Sequence, residues 1–378
     1  MENLLKFIER EYRRGKALKI VLNKIHEIYK EIRKEASEIK IMGFCGTHEH
    51  TITYYGLRYL MPEGIELIAG PGCPVCITPA RDIDEAVELA LKGARVYTYG
   101  DIYRARGSKM SLRDARAEGG DVIVVYSFLD AVKIAKRDKR PSVFFAIGFE
   151  TTVPTLAPYL VKEMVPNNLK ILVSYHLTPP AMRYVLDQPD IPLNGVIAPG
   201  HVSTIIGAKS WSFVATEYKT PVVVAGFEPL DVLIAIYEIL KQIKERKAEL
   251  VNEYSRVVRW EGNLIAQKYM NAVFKKADGL WRGMGELPDS VYVFREKYKK
   301  YDSRREYKVR VKGGLDYLPG CKCAEITVGK AYPTDCPLFM KSCTPSNPKG
   351  PCMVSVEGTC FIWARFGGKI SKEFNIHV

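Results

Sequence analysis

Eight short runs of β-branched and apolar residues constrain this chain more than any other feature: IKIMGF (39–44), IELIAG (65–70), RVYTYG (95–100), DVIVVYS (121–127), VFFAIGF (143–149), KILVSYH (170–176), GVIAP (195–199) and PVVVAGF (221–227). They are largely apolar along their length rather than alternating, which is the pattern of a strand covered on both faces. Between most of them lies enough chain for an amphipathic helix, as in RDIDEAVELALKG and SFLDAVKIAKRDK. Strands of this kind separated by helices predict an α/β fold built on parallel sheets. The polar break KRDKRP at 136–141 divides the series into two α/β units of about four strands each, flanking a cleft. The expected organisation is a helical segment over 1–38, a first α/β domain over 39–138, a second over 139–255 and a C-terminal domain over 256–378. After Pro229 one long helix, LDVLIAIYEILKQIKERKAELVNEYSRVV, is expected, and then a strand-poor region.

In open parallel sheets ligands sit at the carboxyl ends of the strands, where loops converge and helices begin. The unusual residues fall there. The first strand runs into GFCGTHEHT, the second into GPGCPVC, the fifth into GFETT, the seventh into PGHVST and the eighth into GFEP, and the sixth ends at His176. Singly these pieces are weak: His176 reads as well as a hydrogen-bonded structural residue, and His201 is as readily structural as functional.

Three thiols and an imidazole at neighbouring strand ends are harder to dismiss. Cys45, Cys73, Cys76 and His48 offer the soft donor set that iron, zinc or copper takes. They could close a tetrahedral zinc site. Alternatively, Cys73 and Cys76 are a redox pair ahead of the helix that begins near Thr78, a reading that leaves Cys45 unused.

Six more cysteines lie between Cys321 and Cys360 with the spacing C-x-C-x12-C-x6-C-x8-C-x7-C. Repeated C-x2-C knuckles, the mark of paired zinc sites, are absent. An iron–sulfur cluster accepts four thiolates from irregular Pro- and Gly-rich loops, which suits this segment and makes the third domain a small iron–sulfur domain. Two thiols are then spare, and the C-x-C step on extended chain turns its side chains to opposite sides. A spare pair beside a cluster suggests electrons passed from cluster to disulfide.

The 378-residue chain is 47% hydrophobic and 26% charged, so it can build cores without disulfides. Its formal charge of +13 raises nucleic acid as a partner, but the excess is partly local: residues 295–314 carry nine Lys or Arg against three acids, without any nucleic-acid motif. That stretch reads as a solvated surface, and no nucleic-acid partner is expected. The N-terminus lacks an apolar signal region and no run approaches a membrane span, so the expected location is the cytoplasm, with no membrane partner.

GFCGTHEHT, GPGCPVC, GFETT, APGHVS and CPLFMKSCTPSNPKGPCMVSVEGTC, in this order and over nearly the whole chain, resemble the motifs of the HypD family of hydrogenase maturation factors. The resemblance implies a scaffold on which iron acquires the cyanide and carbonyl ligands of the Fe(CN)2CO unit of nickel–iron hydrogenases. It implies a HypC-type chaperone and a HypE-type cyanide donor as partners, a monomeric chain, and a 4Fe-4S cluster in the third domain. By the same resemblance Cys45, Cys73 and Cys76 hold the iron cargo, with Cys73 and Cys76 a disulfide at rest, and His48 and Glu357 assist. By analogy with ferredoxin:thioredoxin reductase, Cys321, Cys336, Cys343 and Cys360 hold the cluster and Cys323 with Cys352 form the spare redox pair. The alternative function is an iron–sulfur-dependent disulfide reductase without iron cargo; whether the chain is an enzyme stays open.

Overall fold

The computed structural model describes residues 7–368 apart from 14, 35, 310 and 312; the outer ends of the expected first and last domains lie outside the described residues. All eight expected strands form: β1 (Ile39–Gly43), β2 (Ile65–Ala69), β3 (Arg95–Thr98), β4 (Val122–Val124), β5 (Ser142–Gly148), β6 (Leu169–Tyr175), β7 (Gly195–Pro199) and β8 (Val222–Ala225). β5, β7 and β8 are buried at every position, as continuous apolar runs require.

The strands form two parallel sheets, but the sheets do not divide at the polar break. One has the order β2-β1-β7-β8-β9, where β9 is Leu250–Asn252, and the other β4-β3-β5-β6. The second unit is therefore inserted between β2 and β7 of the first. β5, expected to open the second unit, pairs with β3, Arg95 opposite Ser142. β7 pairs with β1, Ile41 opposite Gly195. The break at 136–141 only ends a helix, Phe128–Arg137, on the way to β5.

Among the helices, α1 (Lys16–Ile32) packs against α5 (Pro229–Lys244). Two others follow strand ends, α2 (Gly46–Tyr54) after β1 and α3 (Pro74–Ile77) after β2, and α4 (Ala80–Leu91) comes directly after α3. The helix expected after Pro229 stops at Lys244. Arg246 takes a positive φ of 52° and turns the chain, so that LVN becomes the edge strand β9 against β8. Residues 256–294 are also less irregular than expected: β10 (Phe274–Trp281) and β11 (Gly285–Phe294) pair as an antiparallel hairpin. Its outer face is charged and exposed, which hid it from a search for continuous apolar runs.

The basic stretch is only partly a solvated surface. The Arg304 side chain donates to Glu85 and Asp82 on α4 at 2.6 and 2.8 Å and to the Val173 carbonyl at 2.7 Å. It fastens the C-terminal region to the inserted unit. The last segment forms three short helices, α6 (Cys323–Thr327), α7 (Pro351–Val354) and α8 (Thr359–Phe366). No helix among the described residues is long and apolar enough to cross a membrane.

Candidate functional site

The exits of β1 and β2 lie side by side. Cys45 stands at the N-cap position of α2, and Cys73 caps α3, its sulfur accepting the Cys76 N–H. The GPG turn rests on Cys45: a Cβ at Gly72 would stand 2.4 Å from the Cys45 Cα, so this approach is open to glycine alone. The Gly46 N–H closes the contact on the Gly72 carbonyl at 3.2 Å. Cys73 and Cys76 are joined by a disulfide, both sulfurs buried, whereas Cys45 is a half-buried free thiol.

Burial, and then the charge of Glu357, push the Cys45 thiol up to about 11, although the backbone N–H groups of Thr47 and His48 pull the other way. Glu357 itself is raised to about 7 by burial and by the charge of Asp101. Gly46, the neighbour of Cys45, packs directly on Glu357; a Cβ there would lie 2.7 Å from the Glu357 Cβ.

His48 is fully buried on α2. Its Nε2 faces the carbonyls of Gly226 at 2.9 Å and Ala225 at 3.3 Å, and burial holds the ring down at about 4. The imidazole is thus neutral at physiological pH with its proton on Nε2, and the buried Nδ1 has no partner. Phe227, at the exit of β8, stacks on His48 at 4.7 Å and on His201 at 3.9 Å. PGHVST therefore reaches the same side as the thiols through His201.

GFETT and His176 do not join the thiols. The Thr178 N–H and hydroxyl donate to the buried Glu150 at 2.9 and 2.8 Å, and Glu150 lines a groove between the units with Arg183, Phe213, Lys276 and Tyr292. His176 sets its ring nitrogens against the carbonyls of Ser174 and Leu280, each at 3.1 Å, a structural arrangement.

Five of the C-terminal cysteines gather in one hydrophobic cluster with Cys73 and Cys76, and the sixth, Cys321, packs against it. The Sγ atoms of Cys323, Cys352 and Cys360 lie within 4.8 Å of one another and are buried, a group able to hold a metal. Gly350 packs against both sulfurs of the C-x-C step, since a Cβ there would meet Cys323 Sγ at 2.4 Å and Cys321 Sγ at 2.8 Å. Cys343 accepts the Lys349 N–H at 3.3 Å, and Cys336 faces the Gly320 carbonyl at 3.9 Å. The tight group thus combines Cys360 from the expected cluster ligands with Cys323 and Cys352 from the expected spare pair.

Several contacts hold the two thiol centres together. Cys76 Sγ lies 3.9 Å from the Pro351 carbonyl, one residue before Cys352. Arg104 donates to the Val354 carbonyl at 3.0 Å, and Ser355 to Asp101 at 3.0 Å. On the other side, the buried Glu49 of α2 accepts from Trp363 Nε1 of α8 at 2.7 Å, Arg58 at 2.5 Å and Thr53 at 2.9 Å. The roles of Glu49, Arg58, Trp363 and Asp101 were missed from sequence. A buried carboxylate inside THEHT was the available hint, but no local pattern links it to a tryptophan 314 positions away.

The donor inventory is therefore one free thiol, a disulfide and a neutral imidazole at one centre, and at the other a buried thiol group, suited to soft metals and to thiol–disulfide exchange. The HypD family model, described as "Hydrogenase formation hypA family", matches residues 19–367. A chain of Methanocaldococcus jannaschii, provisionally named as a hydrogenase expression/formation protein, is 46% identical over 354 residues, 92% of this chain and 97% of the relative. The hydrogenase maturation factor HypD2 of Bradyrhizobium diazoefficiens is 42% identical over 346 residues, 88% of this chain and 91% of the relative. HypD of Cupriavidus necator is 40% identical over 378 residues, 96% and 97% of the two chains.

Proposed function

The chain belongs to the HypD family of hydrogenase maturation factors, and from that premise we propose that it is the scaffold on which the iron of a nickel–iron hydrogenase receives two cyanide ligands and one carbonyl. The observation that carries this reading is the packing of the Cys73–Cys76 loop and the C-terminal thiols into one hydrophobic cluster, with Cys45 alongside the loop.

The cargo iron is held by the thiolates of Cys45, Cys73 and Cys76 together with a cysteine of a HypC-type chaperone; a HypE-type protein supplies cyanide. Soft thiolates suit low-spin iron bearing such ligands. Binding at Cys45 displaces a proton held up to about 11, and Glu357, at about 7, is the adjacent acceptor. His48, neutral and with Nδ1 unpartnered, offers a lone pair to a ligand or a proton.

The C-terminal donors fit an iron–sulfur cluster in chemistry and burial: Cys336, Cys343 and Cys360 are buried with Cys321 packed against them, and the close group within 4.8 Å sets Cys360 beside the pair Cys323 and Cys352. We assign Cys321, Cys336, Cys343 and Cys360 as the ligands of a 4Fe-4S cluster. When bound, the cluster supplies single electrons to the thiol pair Cys323 and Cys352. In the exchange itself, a thiolate of that pair attacks the Cys73–Cys76 bond and forms a mixed disulfide. The second thiol then resolves it, leaving Cys323–Cys352 oxidised and Cys73 and Cys76 as thiols, with both electrons and both protons transferred. The chain acts as a monomer in the cytoplasm.

The test is infrared spectroscopy of the protein prepared anaerobically with its HypC- and HypE-type partners. Cyanide and carbonyl stretching bands on the complex are expected. Their absence from a complex that retains its iron and sulfide would reject the scaffold and favour a disulfide reductase without iron cargo.

A further inference from the structure

Arg282 lies in the turn between β10 and β11 and is 2% exposed. Its N–H donates to the carbonyl of Ile77, the residue after Cys76, at 2.9 Å. Its Nε donates to the Asp316 carbonyl at 2.9 Å, and Nη2 donates to the same oxygen. Nη1 is buried without a partner.

The charge is poorly neutralised. A guanidinium stays protonated inside proteins, so Arg282 is a buried cation. The carboxylate in ion-pair range is Asp316, whose Oδ1 stands 4.0 Å away and already accepts the Ala80 N–H at 2.9 Å. The Tyr317 ring, 5.3 Å from the guanidinium carbon, adds a weaker attraction. A buried charge so loosely paired is costly unless a further negative group stands beside it.

The sulfurs supply the place for that group. Gly283 packs against Ala324, the neighbour of Cys323, so the Arg282 turn lies against the Cys321–Cys323 step, where any thiolate would bear on the guanidinium. We propose that Arg282 is the buried counter-charge of an anionic sulfur centre at the Cys321–Cys323 turn and sets its reduction potential. The proposal rests on the cluster reading above. A 4Fe-4S cluster with four thiolate ligands is negative in both working oxidation states and gains one more negative charge on reduction. A fixed cation therefore favours the reduced form. Arg282 acts through position and charge, without ligating; its N–H to Ile77 also holds the disulfide loop against the same turn.

The experiment is a potentiometric titration of the full-length anaerobic protein, followed by visible absorbance and electron paramagnetic resonance, after iron and sulfide have been counted. At the potential that half-reduces the parent, Arg282→Gln should lower the ratio of reduced to oxidised centre about tenfold, a shift of about 59 mV for one electron. Arg282→Lys should fall between. Asp316→Asn, which keeps the acceptor for Ala80 and removes the opposing charge, should shift the potential the other way. A parent without iron and sulfide would overturn the cluster reading and this proposal together. An intact cluster with the parent potential in both Arg282→Gln and Asp316→Asn would overturn this proposal alone, and if Arg282→Gln loses its cluster, Asp316→Asn decides by the same criterion.

Discussion

Replacing Glu357 by Gln isolates the electrostatic part of the Cys45 environment. The thiol is pushed up to about 11, with burial the larger cause and the Glu357 charge the next. Gln keeps the shape and the burial, so the variant should keep the larger, burial-driven part and lose the Glu357 part, giving several-fold more thiolate at fixed pH. The sign also depends on pH. Glu357 titrates at about 7, so below that pH the parent carboxyl is neutral and the substitution changes little. Above it the parent carries a charge that the variant lacks. Alkylation of Cys45 by iodoacetamide, read by peptide mass spectrometry with the Cys73–Cys76 disulfide intact, measures this directly. The rate ratio of variant to parent should be near one at pH 5.5 and climb several-fold by pH 8.5. A ratio independent of pH would refute the placement of the Glu357 charge against the Cys45 sulfur.

Cys45→Ala should abolish binding of the iron cargo while iron, sulfide and visible absorbance of the cluster persist, and loss of both together would reject two separate centres. Replacing each C-terminal cysteine by Ser in turn and counting iron and sulfide tests the ligand assignment: loss of the cluster in Cys323→Ser with retention in Cys321→Ser would reverse it. Glu49→Leu strands the Arg58 guanidinium, 10% exposed, and should destabilise the protein by about 3 kcal/mol, the low end for a broken buried pair because Arg58 keeps its bonds to Thr53 and the Leu67 carbonyl. The double variant Glu49→Leu, Arg58→Met should regain much of this in thermal unfolding, and additive losses would count against a coupled pair. From the raised Cys45 pKa, folding favours the protonated thiol, so its contribution to stability is whole below pH 9 and falls as pH rises toward 11; Cys45→Ala should flatten that decline in a pH series of unfolding midpoints.

The strands were legible because a segment covered on both faces must be apolar along its length, and VFFAIG and GVIAP have no other reading. Their order was not. Any such strand can neighbour any other, so nothing local says that Gly195 pairs beside Ile41 rather than beside β6. The polar break at 136–141 was read as a domain boundary because it resembles a linker, yet it only connects a helix to β5 within one sheet. LVN was absorbed into a helix because its three residues are too short to oppose the helical pattern before them. At the site, the thiols announced themselves through glycine and proline at strand ends, where backbone and ligand approach closely. Glu49 and Arg282 did not, since the meaning of a buried charge lies in partners far along the chain.

Insertion of one α/β unit into the other gives the GPGCPVC loop its position. It leaves β2 of one sheet and leads through α4 to β3 of the other, so Cys73 and Cys76 stand where the chain crosses between units. Cys45, His48, His201 and Phe227 belong to the outer unit alone. The segment from Pro351 to Phe366 touches both, through Arg104 and Asp101 on the inserted side and through Gly46 and Glu49 on the outer side. It also carries Cys352 and Cys360. Any shift of this segment that follows a change at its sulfurs therefore moves Pro351 relative to Cys76 and Glu357 relative to Cys45 at once. The charge beside Cys45 and the contact to the disulfide are set by the same sixteen or so residues, so under the proposed scaffold a change at the C-terminal thiols would reach Cys45 and the Cys73–Cys76 loop together, without a separate transmitting element.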